Sequence, residues 1–151
     1  GENRYYLPMH IALASDHAGY PLKEVIKAYL NEKGIDITDV GTFSDESVDY
    51  PAIMRKGCAV VLEQDSIGII FGGSGNGEAM AANKVRGIRA ALCYNEETTR
   101  LARAHNNANV MSLGARLTDE DTAKKLVDIF LETDFDGDRH QRRIDDLETS
   151  L

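Results

Sequence analysis

One carboxylate, Glu78, closes a glycine-rich loop that follows a short apolar segment. The apolar segment, residues 67–71, is typical of a strand buried on both faces. Residues 72–77 include four glycines, which tolerate positive φ angles and let a ligand approach bare backbone N–H groups closely. The helix formers after the loop would place a helix N-terminus beside those groups, and this arrangement binds anionic oxygen atoms. Glu78 at the rim of such a loop is a candidate base.

Three known loop motifs do not fit this segment. A P-loop would need Gly-Lys-Ser/Thr where the chain has Gly77-Glu78-Ala79. The dinucleotide fingerprint would require a glycine at Glu78, and the nucleophile elbow around Ser74 would require one at Asn76. Two interpretations stay open: an anion-binding loop with a carboxylate, or a plain tight turn.

Further polar candidates lie after the first predicted strand and at a predicted helix end. Asp16 and His17 would either cap the helix that Pro21 opens or donate and accept hydrogen bonds with a sugar. His105 is either a capping or core histidine or, with Asn106 beside it, a polar pair presented to a ligand.

Three arginines form a candidate phosphate site. Arg139 and Arg143 are four residues apart and would share one helix face, and Arg116 follows the fifth predicted strand. Bidentate guanidinium groups suit phosphate recognition, which an acidic chain can achieve only with a local basic cluster. The alternative is salt bridging of each arginine to neighbouring aspartates.

Neither a metal nor a cofactor is predicted. Residues 134–138 alternate aspartates with other residues, but glycine and the last acidic residue stand at the wrong positions for a calcium loop. Cys58 and Cys93 are too far apart in sequence to suggest a zinc site or a disulfide framework, and Cys93 is expected in the core.

Composition narrows the classes of partner. The chain has 151 residues and a formal charge of −8, which argues against nucleic acid and anionic membranes. No signal peptide or membrane span is recognisable, and a reducing cytoplasm is the expected compartment. We expect an N-terminal extension at residues 1–8 and a single domain at residues 9–151.

Strand and helix patterns alternate five times along the chain. Strands are predicted at residues 10–14, 35–40, 67–71, 88–94 and 110–113. Helices are predicted after Pro21, over residues 52–63, after the glycine loop, from the caps Asn95 and Thr118, and finally with Ile144, Leu147 and Leu151 inward. This order predicts a doubly wound α/β domain, in which ligands bind beyond the carboxyl ends of the strands. Asp16, His17 and the glycine loop should therefore face one crevice.

These motifs together resemble the ribose-5-phosphate isomerase B family, from about residue 9 to residue 143. The resemblance is carried, in this order, by residues 15–19 (Ser-Asp-His-Ala-Gly), 49–51 (Asp-Tyr-Pro), 73–78 (Gly-Ser-Gly-Asn-Gly-Glu) with 81–84 (Ala-Ala-Asn-Lys), 105–109 (His-Asn-Asn-Ala-Asn) and 137–143 (Gly-Asp-Arg-His-Gln-Arg-Arg).

The resemblance implies a Rossmann-like three-layer αβα sandwich around a five-stranded parallel sheet. It also implies a homodimer or a dimer of dimers, with active sites at the subunit interface and the C-terminal helix at that interface. Many relatives carry their base as a cysteine where this chain has Gly72. This chain instead resembles a second branch, which uses the glutamate, and Glu78 inherits that role.

The implied reaction interconverts D-ribose 5-phosphate and D-ribulose 5-phosphate through an enediolate, without metal or cofactor. By resemblance, His105 and Asp16 would open the sugar ring, Glu78 would move the proton and Ser74 would relay hydroxyl protons. The implied substrate-binding set comprises His17, Tyr50, Gly73, Gly75, Asn76, Gly77, Asn106, Arg116, Arg139 and Arg143. The alternatives are an isomerase of galactose 6-phosphate, allose 6-phosphate or a tetrose phosphate and, less favoured, a nucleotide-binding module.

Overall fold

The computed structural model describes residues 9–149, in which five strands alternate with helices and a sixth helix follows the last pair. The strands are β1 (His10–Ser15), β2 (Asp36–Asp39), β3 (Ile67–Gly72), β4 (Ala90–Leu92) and β5 (Val110–Gly114). The helices are α1 (Tyr20–Glu32), α2 (Tyr50–Gln64), α3 (Asn76–Asn83), α4 (Glu96–Ala104), α5 (Glu120–Glu132) and α6 (Arg139–Leu147).

All five strands pair in parallel, in the order β2-β1-β3-β5-β4. The three central strands are buried almost throughout, which explains why their sequences are near-continuously apolar. The predicted five-stranded parallel α/β fold is confirmed. The two edge strands are shorter than predicted. Each pairs with a neighbour on one side only, and the paired residues are Asp36–Asp39 in β2 and Ala90–Leu92 in β4.

Helices cover both faces of the sheet, so the molecule has three layers. On one face, Leu13 and Phe71 pack with apolar residues of α1, α4 and α5. On the other face, Ala14 and Ile70 pack with apolar residues of α2 and α3. Cys93 is 1% exposed within the first of these cores, which confirms that it is a packing residue.

Some predicted details are wrong. The cap of α5 is Asp119 rather than Thr118, because the Asp119 carboxylate accepts the Thr122 N–H at 2.8 Å. Leu147 is exposed instead of facing inward, and Leu151 and the predicted extension at residues 1–8 lie outside the described residues. Among residues 9–149, every helix is too short or too polar to cross a lipid bilayer.

A fully buried lysine ties α1 to the end of β2. Lys23 is 0% exposed, and its Nζ lies 2.5 Å from Asp39 Oδ2. The other Asp39 carboxylate oxygen accepts the Gly41 N–H at 2.9 Å, and the Gly41 carbonyl accepts the Ser15 N–H at 2.7 Å. The ion pair therefore holds the chain after β2 against the carboxyl end of β1, directly before Asp16.

We predict that Lys23→Met destabilises the protein by about 3 kcal/mol or more, because it removes the buried partner of the Asp39 charge. Lys27 is a matched control, since its Nζ contacts the same carboxylate oxygen at 3.0 Å from a side chain that is 32% exposed. Lys27→Met should cost less than about 1 kcal/mol. Urea unfolding of both variants measures the difference, and equal losses would contradict the assigned role of burial.

Candidate active site

Glu78 is a buried carboxylate in the first turn of α3. It is 4% exposed, and its carboxyl group occupies the space in which a Cβ on Gly72 would stand. Any side chain at position 72 would therefore displace the carboxylate. The absence of a side chain at the end of β3 is what lets Glu78 fold back over the strand.

Burial raises the pKa of Glu78, and the nearby Asp16 charge raises it further. A hydrogen bond from the backbone N–H of Glu78 itself lowers the pKa, but it does not outweigh the first two effects. Sequence alone leaves this competition undecided, since both a helix N-terminus and burial are predicted. In the structure, burial and the Asp16 charge outweigh the backbone N–H at the helix N-terminus, so the pKa of Glu78 is raised.

Of the four glycines in residues 72–77, Gly75 alone has the positive φ that glycine tolerates. Gly75 has φ 84° and caps α3, and its carbonyl accepts the buried Ser112 hydroxyl at 2.7 Å. Ser74 is exposed, and its Oγ accepts both the backbone N–H and the side-chain amide of Asn76 at 3.2 Å. Ser112 was not identified from the sequence, because its role depends on β5 lying beside β3.

Two predicted substrate-binding residues border this loop. The Tyr50 hydroxyl, at the start of α2, lies over Gly77 where a Cβ would clash with it. The Arg116 guanidinium lies 3.0 Å from the position that a Cβ on Gly73 would take, and the Arg116 N–H donates to the Gly73 carbonyl at 3.0 Å. The Tyr50 hydroxyl therefore needs a glycine at position 77, whereas a side chain at position 73 would press on the Arg116 guanidinium without a severe clash.

Asp16 and His17 lie at the same edge of the sheet. The Asp16 N–H donates to the Phe71 carbonyl at 3.1 Å, and its carboxylate accepts the Gly19 N–H at 2.8 Å just before α1. His17 Nδ1 accepts the Val48 N–H at 3.2 Å, so the neutral ring carries its proton on Nε2. Asp16 therefore lies beside the end of β3 and close enough to Glu78 for its charge to act on that carboxylate, while the shared crevice with His17 stays a prediction.

Four other predicted residues lie at the opposite edge. Helix α4 begins after the carboxyl end of β4 and returns to the amino end of β5, so His105 and Asn106 at its end lie at the amino edge. Helix α5 returns in the same way, and the Asp136 N–H then donates to the Ala104 carbonyl at 2.9 Å. Arg139 and Arg143 on α6 are therefore also at the amino edge, and one chain does not bring them to Glu78.

At that edge, His105 has two side-chain neighbours that the sequence did not reveal. Its ring stacks on His140 with centroids 4.3 Å apart and planes 13° from parallel, and its Nε2 lies 4.0 Å from Asp136 Oδ2. Burial lowers the pKa of His140, and Arg139, His105 and Arg143 lower it further. Only the tertiary contact between α4 and the start of α6 brings these residues together.

The three arginines of the predicted phosphate site form no salt bridge within the part of the chain that the structure describes. Arg116, Arg139 and Arg143 are exposed, and none of the ion pairs among residues 9–149 involves them. The alternative role predicted for them, pairing with nearby aspartates, is therefore not observed there.

A family model described as ribose/galactose isomerase matches residues 11–147. The chain belongs to this family. A ribose-5-phosphate isomerase B from Mycolicibacterium paratuberculosis is 47% identical over 142 residues, which are 92% of this chain and 89% of the relative. A relative in Rickettsia bellii, 44% identical over 135 residues (89% and 94% of the two chains), carries only the broader description of a sugar phosphate isomerase.

Solved structures of this family share the fold described above. A ribose 5-phosphate isomerase from Thermotoga maritima is 50% identical, with a TM-score of 0.91 over 93% of this chain and 97% of that one. The Mycoplasma genitalium ribose-5-phosphate isomerase B, solved with bound ribulose-5-phosphate, is 40% identical with a TM-score of 0.90, covering 95% and 96%. The chain thus spans nearly the whole length of these relatives.

The raised pKa of Glu78 predicts a pH-dependent cost to stability. The folded state keeps the carboxyl proton above the ordinary pKa of 4.5, where the unfolded chain has lost it, so this group's contribution to stability falls as pH rises through that window. Glu78→Gln should therefore be more stable than wild type at pH 7, and the advantage should shrink near pH 4. Urea unfolding at both pH values measures this, and a destabilised variant at pH 7 would contradict it.

Proposed function

We propose that the protein interconverts D-ribose 5-phosphate and D-ribulose 5-phosphate through an enediolate, with Glu78 as the base. The observation that supports this most directly is the buried Glu78 carboxylate, whose pKa is raised, held over Gly72 beside a loop of backbone N–H groups. A carboxylate with a raised pKa is a stronger base than an ordinary one and can still return the proton it accepts. Membership of the isomerase family and the relative solved with ribulose-5-phosphate support the same substrate.

The proposed reaction begins with opening of the furanose ring, for which His105 and Asp16 are the candidate acid and base. Glu78 then removes the proton from C2 of the open aldehyde, and the electron pair moves to O1 to form the enediolate. Glu78 returns the proton to C1 while the hydroxyl proton moves from O2 to O1. The net change is a transfer of hydrogen within one molecule, which requires no oxidant, metal or cofactor.

The glycine loop is proposed to stabilise the enediolate. Backbone N–H groups of Gly75, Asn76 and Gly77 lie at the start of α3, where the helix dipole favours developing negative charge. The Asn76 N–H donates to Ser74 Oγ in this structure and would exchange that bond for one to the enediolate oxygen. Ser74 is proposed to relay the hydroxyl proton between O1 and O2, which its exposure supports, and Tyr50, whose hydroxyl lies over Gly77, is proposed to bind the sugar.

The two separate edges support a shared site in a homodimer or a dimer of dimers. One chain places Glu78, Asp16 and Arg116 at the carboxyl edge, and it places His105, Asn106, Arg139 and Arg143 at the amino edge. We propose that the partner subunit's His105 and Asn106 complete each site. The partner subunit's Arg139 and Arg143 would then join Arg116 and His17 in binding the phosphate.

The substrate could also carry a different number of carbons, as in galactose 6-phosphate, allose 6-phosphate or a tetrose phosphate. One added carbon changes binding by only about 1–3 kcal/mol, so related sugars are distinguished by kinetics. Comparing kcat/KM across these phosphates decides among them. A nucleotide-binding module would instead be stabilised by NAD, FMN or ATP and not by pentose phosphates in a thermal-shift experiment.

Glu78→Gln is the direct test of the base. It preserves shape and hydrogen bonding but removes basicity, so kcat should fall by about 10²–10⁴ while KM changes only a few-fold. Exchange of the C2 hydrogen with solvent deuterium should disappear in parallel. Glu120, an exposed glutamate in the first turn of α5, supplies the matched control Glu120→Gln, which should keep wild-type kcat. Retention of a tenth or more of wild-type kcat in Glu78→Gln would rule out the assigned role.

Mixed dimers test the shared site. Glu78→Gln and His105→Asn should each be nearly inactive as pure proteins, whereas a mixed dimer contains one site with both native residues. Unfolding and refolding an equimolar mixture should therefore restore about a quarter of the wild-type activity, since half of the dimers are mixed and each has one of two sites intact. Inactive mixtures in which native mass spectrometry shows mixed dimers would contradict a shared site.

A further inference from the structure

We propose that His105, Asp136 and His140 form a binding site for a divalent transition-metal cation of the zinc type. Each residue offers one ligand atom, and these atoms all lie within 4.8 Å of one another. The site lies at the amino edge of the sheet, away from Glu78 of the same chain.

The donor set matches the chemistry of such ions. Two imidazoles and one carboxylate suit zinc and its neighbours, and three protein ligands with an open fourth position are typical of accessible zinc sites. Calcium and magnesium, which prefer oxygen ligands, would find only one carboxylate among the three side chains. The ligand set therefore favours zinc-type ions over calcium and magnesium.

The ligand atoms must move closer together to bind an ion. Bonds of about 2.0–2.2 Å place tetrahedral ligands roughly 3.3–3.5 Å apart, which is less than the longest separation here. The stacked rings must also open, because imidazole lone pairs lie in the ring plane and the two planes are only 13° from parallel. His105 and Asp136 have side chains that are 39% and 60% exposed, so both can turn toward the buried His140.

The backbone already holds these three residues together. The Asp136 N–H donates to the Ala104 carbonyl at 2.9 Å, one residue before His105. The His140 N–H donates to the Gly137 carbonyl at 3.1 Å, which closes the turn between Asp136 and α6. Binding therefore needs side-chain rotation rather than rearrangement of the chain. The positive charges of Arg139 and Arg143 repel a metal ion bound nearby, so the affinity for metal should be lower than that of four-ligand structural sites.

The test uses the full chain without a histidine tag, dialysed against EDTA and then freed of the chelator. Titration with Co²⁺ should produce the visible absorption of a four- or five-coordinate ion, and Zn²⁺ should raise Tm and displace the cobalt signal. Asp136→Asn and His140→Asn should each weaken Zn²⁺ binding at least tenfold by calorimetry, since even outer-shell partners contribute about 10–100-fold.

His10→Asn is the matched control, because His10 hydrogen-bonds Thr38 at 2.7 Å and lies outside the proposed site. It should bind Zn²⁺ as the wild type does. Because Asp136 is exposed, Asp136→Asn tests the site even if the buried change His140→Asn prevents folding. No cobalt absorption in the wild type, or Zn²⁺ affinity that is equal in wild type, Asp136→Asn and His10→Asn, would overturn the proposal.

An activity assay adds a second measurement that rests on the proposed function. If His105 serves catalysis, Zn²⁺ should inhibit the wild-type isomerase, EDTA should reverse the inhibition, and Asp136→Asn should require at least tenfold more Zn²⁺. Metal binding without inhibition would keep the site and count against the catalytic role of His105. The failure of one proposal is thereby distinguished from the failure of the other.

Discussion

The candidate site depends on one steric constraint, the exclusion of any side chain at Gly72. Because the Glu78 carboxyl group fills the volume that a Cβ would occupy, the end of β3 and the start of α3 can approach closely enough to bury it. That burial raises its pKa, and the same close approach brings the start of α3 and its backbone N–H groups beside the end of β3. The raised pKa and the proposed oxyanion-binding loop thus have one geometric origin.

The parallel α/β topology decides which of the candidate residues can cooperate. Helices α1 to α5 each follow a strand, start at the carboxyl edge and end at the amino edge, so residues that follow strands and residues that follow these helices lie at different edges of one chain. His105 and Arg139 follow helices, whereas Asp16 and Glu78 follow strands. Joint action of the two groups would need a second chain, and the proposed mechanism includes a dimer for this reason.

The sequence predicted the fold and the position of the glycine loop after β3 because both depend on local patterns. Near-continuous apolar segments and the glycine loop indicate β3 and α3 without knowledge of their neighbours. It did not predict Lys23, Ser112, Asp136 or His140 as partners of the functional segments. Each of these acts through a contact between elements distant in sequence, such as Lys23 with Asp39 or His140 with His105, which periodicity does not encode.

Two of the buried ionisable groups at the carboxyl edge, Lys23 and Glu78, have opposite electrostatic surroundings. Lys23 is 0% exposed but is paired with Asp39. Burial raises the pKa of Asp39, but hydrogen bonds from Lys23, the Gly41 N–H and Lys27 outweigh that effect and lower the pKa overall. Glu78 is nearly as buried, yet its charged neighbour is Asp16, which has the same sign. If Glu78 served only stability, a cationic side chain would be expected beside its carboxylate, since an unpaired buried charge is costly. Burial of Glu78 therefore lowers stability, whereas the buried Lys23 is compensated by its ion pair. This difference is expected if Glu78 reacts and the Lys23–Asp39 pair holds the site in place.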